Sequence, residues 1–257
     1  IFSFILFAQK PMSSREKKKQ ERQDRIDSLI KKEEEGALIF SKQFLFGAKL
    51  NTDGWAAVYE HGKYKTLNTT NLWWVEIGER KNPKEERKTV FLSNGLQVGN
   101  PFVYGKINNF YFLKLGIGQQ RLIGGKGNKN GVAVSLNYGG GITAGYLKPY
   151  FLTVADSIGN VSDIKYSEST ASIFTDPSAI IGSAGFTKGF SEGTFSPGAH
   201  AKIGLRFDYG RYSEVVSAIE VGINAEYYSK KMPIMISSTD KSFFFNAFIA
   251  IEFGGRK

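Results

Sequence analysis

The 257-residue chain has no cysteine, two histidines, and 34 Lys+Arg against 24 Asp+Glu, a formal charge of +10. Zero cysteine excludes disulfides, thiolate-bound zinc, iron–sulfur clusters and thiol nucleophiles; with His61 and His200 alone, multi-histidine metal sites are excluded too, and a Ser-His-Asp triad has few bases to draw on. A hydrophobic fraction of 41% excludes general disorder, and no run approaches the roughly 18 apolar residues of a spanning helix, which leaves a strand-built membrane protein open.

The first element is the apolar run Ile1–Ala8, followed by Gln9, Lys10 and Pro11. It reads as the end of a secretory signal with Ala8 at the cleavage position, against the alternative that it stays attached. The second, within residues 9–36, is a charged helix. Ser13 and Glu16 form a capping box, Glu21/Arg25 and Asp27/Lys31 stand acid-first at i,i+4, and Gly36 is placed to end it. Its apolar residues Ile26, Leu29 and Ile30 make one small patch at i, i+3, i+4, enough for docking and not for a core. A partner-binding arm and a solvated extension both fit this pattern. Residues 1–35 carry nine Lys/Arg and seven Asp/Glu, so the arm contributes little to the net charge. The cations are spread and mixed with acids, which argues against nucleic acid as a partner and for a solvated basic surface.

Residues 37–257 alternate. Leu38–Leu50, Trp55–Gly62, Thr70–Glu79, Ile107–Gly118, Val132–Tyr138, Ile142–Val154, Ala199–Tyr209, Glu214–Tyr228 and Ser242–Phe253 each show a period of two. Asn51-Thr52-Asp53-Gly54, Lys126–Gly131 and Tyr209–Tyr212 read as turns, and longer polar connections fall near Arg80–Gly105, Asp156–Pro197 and Ser229–Lys241. Nine segments joined mostly by hairpins predict an all-β, antiparallel up-and-down barrel. A bacterial membrane barrel has an even strand number, so one segment is excess or one is hidden, with Ile180–Phe190 the best hiding place; eight to ten strands are expected.

Period two alone does not say which face is inside. Aromatics at strand ends (Phe243, Phe253, Tyr209, Tyr212, Tyr227, Tyr228), polar faces rich in Gly, Ala and Asn, and an export-like start favour a membrane barrel with a polar lumen over a soluble barrel. The lumen then receives Lys202, Arg206, Asp208, Glu220, Glu226 and Glu252 from the last three strands, joined by Glu60, Glu76 and Lys114. Charges of both signs in so narrow a space should pair, giving a plugged lumen; a proton or ion path along the carboxylates is the rival.

Catalytic motifs are weak. Ile123–Lys129 is glycine-rich but lacks the order of a phosphate-binding loop, and Glu60 and His61 are neighbours on a strand that face opposite ways. His200 has no nameable nucleophile. Pro149 implies an edge, a bulge or a contact site in its strand.

Several patches resemble small outer-membrane β-barrel proteins of the Bacteroidota: Glu33–Ala37, Leu50–Trp55, Glu79–Glu85, Gly124–Gly131, Leu147–Tyr150 and Glu252–Lys257. The resemblance covers nearly the whole chain. It implies a non-enzymatic, cofactor-free outer-membrane barrel, an accessory subunit of an envelope complex such as barrel-assembly or secretion machinery. Its partners would be outer-membrane lipid and a larger protein complex, with the N-terminal helix in the periplasm. It supplies no catalytic, cofactor or metal residues. A porin-like transport barrel, a barrel-embedded enzyme and a soluble ligand-binding barrel are the alternatives.

Overall fold

The computed structural model describes residues 15–24, 40–91, 94–126, 131–156, 158–210 and 214–257. Residues 15–24 are helical. The apolar start 1–8, and the Ile26, Leu29 and Ile30 patch, lie outside the described residues.

Among the described residues thirteen strands follow: β1 (Lys42–Asn51), β2 (Gly54–Thr66), β3 (Thr69–Arg80), β4 (Arg87–Phe91), β5 (Gln97–Val103), β6 (Asn108–Gly124), β7 (Ala133–Pro149), β8 (Phe151–Ala155), β9 (Val161–Lys165), β10 (Ile180–Ser183), β11 (Thr194–Asp208), β12 (Val215–Met232) and β13 (Lys241–Arg256). Eight of them close a ring in the order β1-β2-β3-β6-β7-β11-β12-β13, with β13 pairing back onto β1 from Gln43↔Arg256 to Asn51↔Phe248. Every pairing in the ring is antiparallel.

The ring corrects two details of the sequence pattern. Val132–Tyr138 and Ile142–Val154 are not separate barrel strands. β7 runs straight through the intervening glycines, which keep their ladder partners: Gly139 pairs with Gly118 and Gly141 with Gly116. The alternation fails there because glycine has no side chain to alternate, while its backbone pairs normally. The hidden segment at Ile180–Phe190 does contain a strand, but β10 belongs to a separate sheet. Pro149 closes β7 at the point where the chain leaves the barrel.

The two ends of the barrel differ. One gathers the C-terminus and the connections 67–68, 125–132 and 209–214; the other carries Thr52–Asp53, the connection 233–240 and the two longest connections, 81–107 and 150–193. Those longer connections are not loose. The hairpin β4–β5, the sheet β10-β8-β9 and one helical turn at Ala171–Phe174 share a core of Phe102, Leu152, Val154, Phe174 and Ile180. We call this structure the crown.

The barrel is inverted relative to a water-soluble one. Phe46, Leu50, Ile77, Ile117, Ile142 and Phe245 are each more than half exposed on the outside. Charged and amide side chains are buried inside. This is the architecture of a transmembrane β-barrel, whose outward apolar band faces lipid. Among the described residues no helix is long and apolar enough to cross a membrane. The aromatic positions divide: Phe243, Phe253 and Tyr227 point outward, while Tyr228 turns inward and is fully buried. Tyr212 lies outside the described residues.

Glycine has a packing role at one level of the lumen. The indole of Trp74 lies against Gly116, Gly118 and Gly139, and a Cβ on Gly116 would sit 2.2 Å from the ring. Gly116→Val should therefore displace Trp74 and destabilise the barrel by about 1–3 kcal/mol. Gly124, with nothing near its Cβ direction, is the control; Gly124→Ala should change stability by less than about 0.5 kcal/mol. Urea midpoints in mixed micelles would check both.

Candidate functional site

The period of two sends one residue in every pair into the lumen. In a ring of eight strands the interior is only wide enough for side chains to fill. The charged residues found there meet in two tiers and at one rim.

The middle tier is centred on Arg206 from β11. Its guanidinium forks onto Glu60 of β2 (Nη1–Oε1 2.7 Å, Nη2–Oε2 2.9 Å). These strands lie four apart in the ring of eight, so this pair crosses the full diameter. Arg206 also reaches Glu220 of β12 (Nη2–Oε2 2.7 Å) and Glu252 of β13 (Nε–Oε2 2.7 Å). Lys202 lies 3.7 Å from Glu60 and 3.8 Å from Glu220, with its ammonium 4.3 Å above the Trp74 ring. Asn137 Nδ2 donates to Glu220 at 2.6 Å. Oxygens of Glu60, Glu220 and Glu252 come within 4.8 Å of one another, a spacing that suits a divalent cation. Arg206 already fills the space between them, so the protein supplies the counter-charge itself.

The second tier lies nearer the crown. Glu76 of β3 accepts hydrogen bonds from Lys49 of β1 and Lys114 of β6, each at 3.0 Å. Lys114 bridges onward to Glu226 of β12 at 2.7 Å, and Arg80 of β3 reaches the same carboxylate from the opposite wall at 2.8 Å. Arg80 also pairs with Asp53. Tyr228 donates to Glu226 at 2.9 Å. The cations rest on rings: Lys49 on Phe248 at 3.9 Å, Lys114 on Phe112 at 4.2 Å and Arg80 on Phe244 at 4.6 Å.

Asp208 stands apart, at the terminal rim. It pairs with Arg256 at 2.5 Å and Lys126 at 3.5 Å beside a cavity of about 160 Å³. The structure therefore puts Glu60, Lys202, Arg206, Glu220 and Glu252 in one cluster and Glu76, Lys114 and Glu226 in another. Lys49 and Arg80, which belong to these networks, are not among the lumen residues expected from the sequence. Lys49 shares the inward parity of Leu45 on β1, and Arg80 that of Glu76 on β3; Arg80 is harder to place because it also opens the polar connection that follows the strand.

A hydrophobic stopper closes the crown end. Phe110, Phe112, Leu147, Tyr228 and Met232 pack with Ile234 and Met235 from the connection after β12. That connection is pinned across the mouth by Ile107 N–H to Ile234 O and Asn108 Nδ2 to Pro233 O, both at 2.8 Å. In the crown itself, hydrogen bonds from Lys188 and Thr153 hold the Asp163 carboxyl below the usual carboxylate range. Burial pushes the Tyr150 hydroxyl up.

The histidines form no catalytic pairing. His61 faces outward with its ring 5.6 Å from Trp73, while Glu60 faces the lumen. His200 is buried in the lumen 5.9 Å from Trp74, and neither ring nitrogen has a hydrogen-bond partner among the described residues. The arrangement is suited to bracing and sealing the barrel.

No known family profile matches the chain, and no curated protein does. Solved structures of similar description do. Neisserial surface protein A is 9% identical with a TM-score of 0.38, over 84% of this chain and 94% of that one. Ail, the attachment invasion locus protein of Yersinia pestis, solved in complex with the heparin analogue sucrose octasulfate, is 9% identical with a TM-score of 0.35, over 84% and 95%. The N-terminal β-barrel domain of Pseudomonas aeruginosa OprF is 9% identical with a TM-score of 0.34, over 83% and 96%. This chain resembles them as one loosely superposable small barrel resembles another.

Arg206 is the point at which the middle tier should fail. Arg206→Leu leaves three buried carboxylates facing Lys202 alone and should cost about 3–5 kcal/mol. Adding Glu60→Leu should recover part of that loss, because the largest uncompensated charge is removed with its partner. Urea unfolding of the single and double variants in lipid vesicles checks both statements.

Proposed function

We propose that this chain is a non-catalytic outer-membrane barrel that serves as a structural, accessory subunit of an envelope complex. The observation that carries the reading is the combination of an apolar exterior with a lumen braced wall to wall by buried ion pairs. The exterior calls for lipid. Among the described residues the ion-pair tiers and the hydrophobic stopper lie in series along the interior, which supports a lumen that does not conduct. What remains available for interaction is the crown, the outer wall and the N-terminal arm.

Short turns at one end and long connections at the other match the usual orientation of bacterial barrels, in which the longer connections are extracellular. On that basis the crown faces outside, and the helix of residues 15–24 belongs to the periplasmic side. The sequence patches that resemble small Bacteroidota outer-membrane barrels support the envelope assignment. They also support barrel-assembly or secretion machinery as the kind of complex joined.

Two measurements test the reading. In planar bilayers the purified protein should give no steady single-channel conductance; regular conductance steps would overturn the sealed-lumen role in favour of solute transport. Extraction in mild detergent should yield a discrete larger assembly on native gels. Recovery of the chain as a lone monomer would remove the accessory-subunit role.

A further inference from the structure

A cleft of about 800 Å³ opens on the outer wall of the barrel, beneath the crown. Trp55, Ile77 and Tyr111, on the lipid-facing side of β2, β3 and β6, form its inner wall, and Tyr150, Phe151 and Phe186 of the crown enclose it from the other side. Aromatic residues gather at this end of the barrel wall: Tyr111 stacks with Phe190 at 6.3 Å and Tyr146 tilts against Phe195 at 4.6 Å. Aromatic girdles lie where the hydrocarbon gives way to headgroups.

Cations dominate this lining. Lys106 is spent on Glu85 at 2.7 Å, Lys188 on Asp163, and Lys81 lies 3.9 Å from Glu79. Arg87 and Lys148 have no ion-pair partner among the described residues. Lys148 is the more telling. It is buried, donates to the Phe186 carbonyl, and holds its ammonium 4.6 Å from the Phe186 ring and 4.5 Å from the Phe190 ring. Of the two carboxylates in the cleft, Glu79 acts on this ammonium from beyond ion-pair distance and Glu85 is held by Lys106, so an anion entering the cleft would offset a further part of the cost of its burial.

We infer that the cleft binds the phosphate headgroup of an outer-leaflet lipid, with the acyl chains lying along the wall formed by Trp55 and Ile77. Charge complementarity selects the headgroup, and continuity of the cleft with the apolar belt selects a lipid over a free anion. The volume is within the usual range for a small-molecule site. The inference rests on the membrane placement proposed above.

Native mass spectrometry of the full chain released from detergent micelles, loaded with equal dioleoyl phosphatidic acid and dioleoyl phosphatidylcholine, tests it. Phosphatidic acid should be retained preferentially. Arg87→Ala, an exposed change with no folding burden, should lower that preference about fivefold, the value expected for one cation at an anionic surface. Lys148→Met should lower it at least as far. Inorganic phosphate at the same concentration should not displace the lipid. Equal retention of the two lipids, a preference unaltered in Arg87→Ala, or displacement by inorganic phosphate would each overturn the site. The same preparation separates the two readings: a chain that enters vesicles yet shows no lipid preference loses only this site, whereas a chain that stays soluble without detergent loses the membrane placement as well.

Discussion

The fork from Arg206 to Glu60 spans the barrel and sets the conditions for the rest of its interior. A guanidinium buried away from water needs several acceptors, and three carboxylates from three other strands supply them. Those carboxylates in turn require a second cation, Lys202, and an amide donor, Asn137. Each group is tolerable because the next is present. Buried networks of this kind contribute to a fold chiefly by making every alternative arrangement worse, since losing one member strands its partners in a low-dielectric interior.

The glycine floor follows from the same crowding. Trp74 lies under the ammonium of Lys202 and across from His200, so its indole needs a flat surface on the neighbouring strands. Gly116, Gly118 and Gly139 provide it. The side chains omitted from β6 and β7 make room for the indole of β3. Charge pairing, one indole and a hydrophobic stopper thus fill the lumen at different heights.

Much of this was legible in the sequence, because a strand's period of two is independent of tertiary context. Alternation identified the barrel strands and the inward faces of β11, β12 and β13, where Arg206, Glu220 and Glu252 sit at clean polar positions. It failed where the physical signal itself vanishes. Glycines in the middle of β7 carry no polarity to alternate, so one strand read as two. The inward faces at the crown end carry Phe110, Phe112 and Phe248, so they look apolar on both sides. The crown was illegible for another reason: β8 and β10 are five and four residues long, and their core forms only from contacts between distant connections. Pairing was beyond the pattern altogether, because nothing local tells Arg206 that its partner is Glu60.

That last separation bears on how the chain reaches its final form. Arg206 and Glu60 stand 146 residues apart, and the seam between β1 and β13 joins the two ends of the barrel region. Until that seam closes, the carboxylates and cations of the last strands lack their partners from the first ones. A partly curled sheet would carry unneutralised charge on the face it must enclose, and hydrocarbon would penalise it heavily. The ring should therefore mature in a single concerted step, with water retained inside the curling sheet until its first and last strands meet. Contacts so distant in sequence make such a step slow.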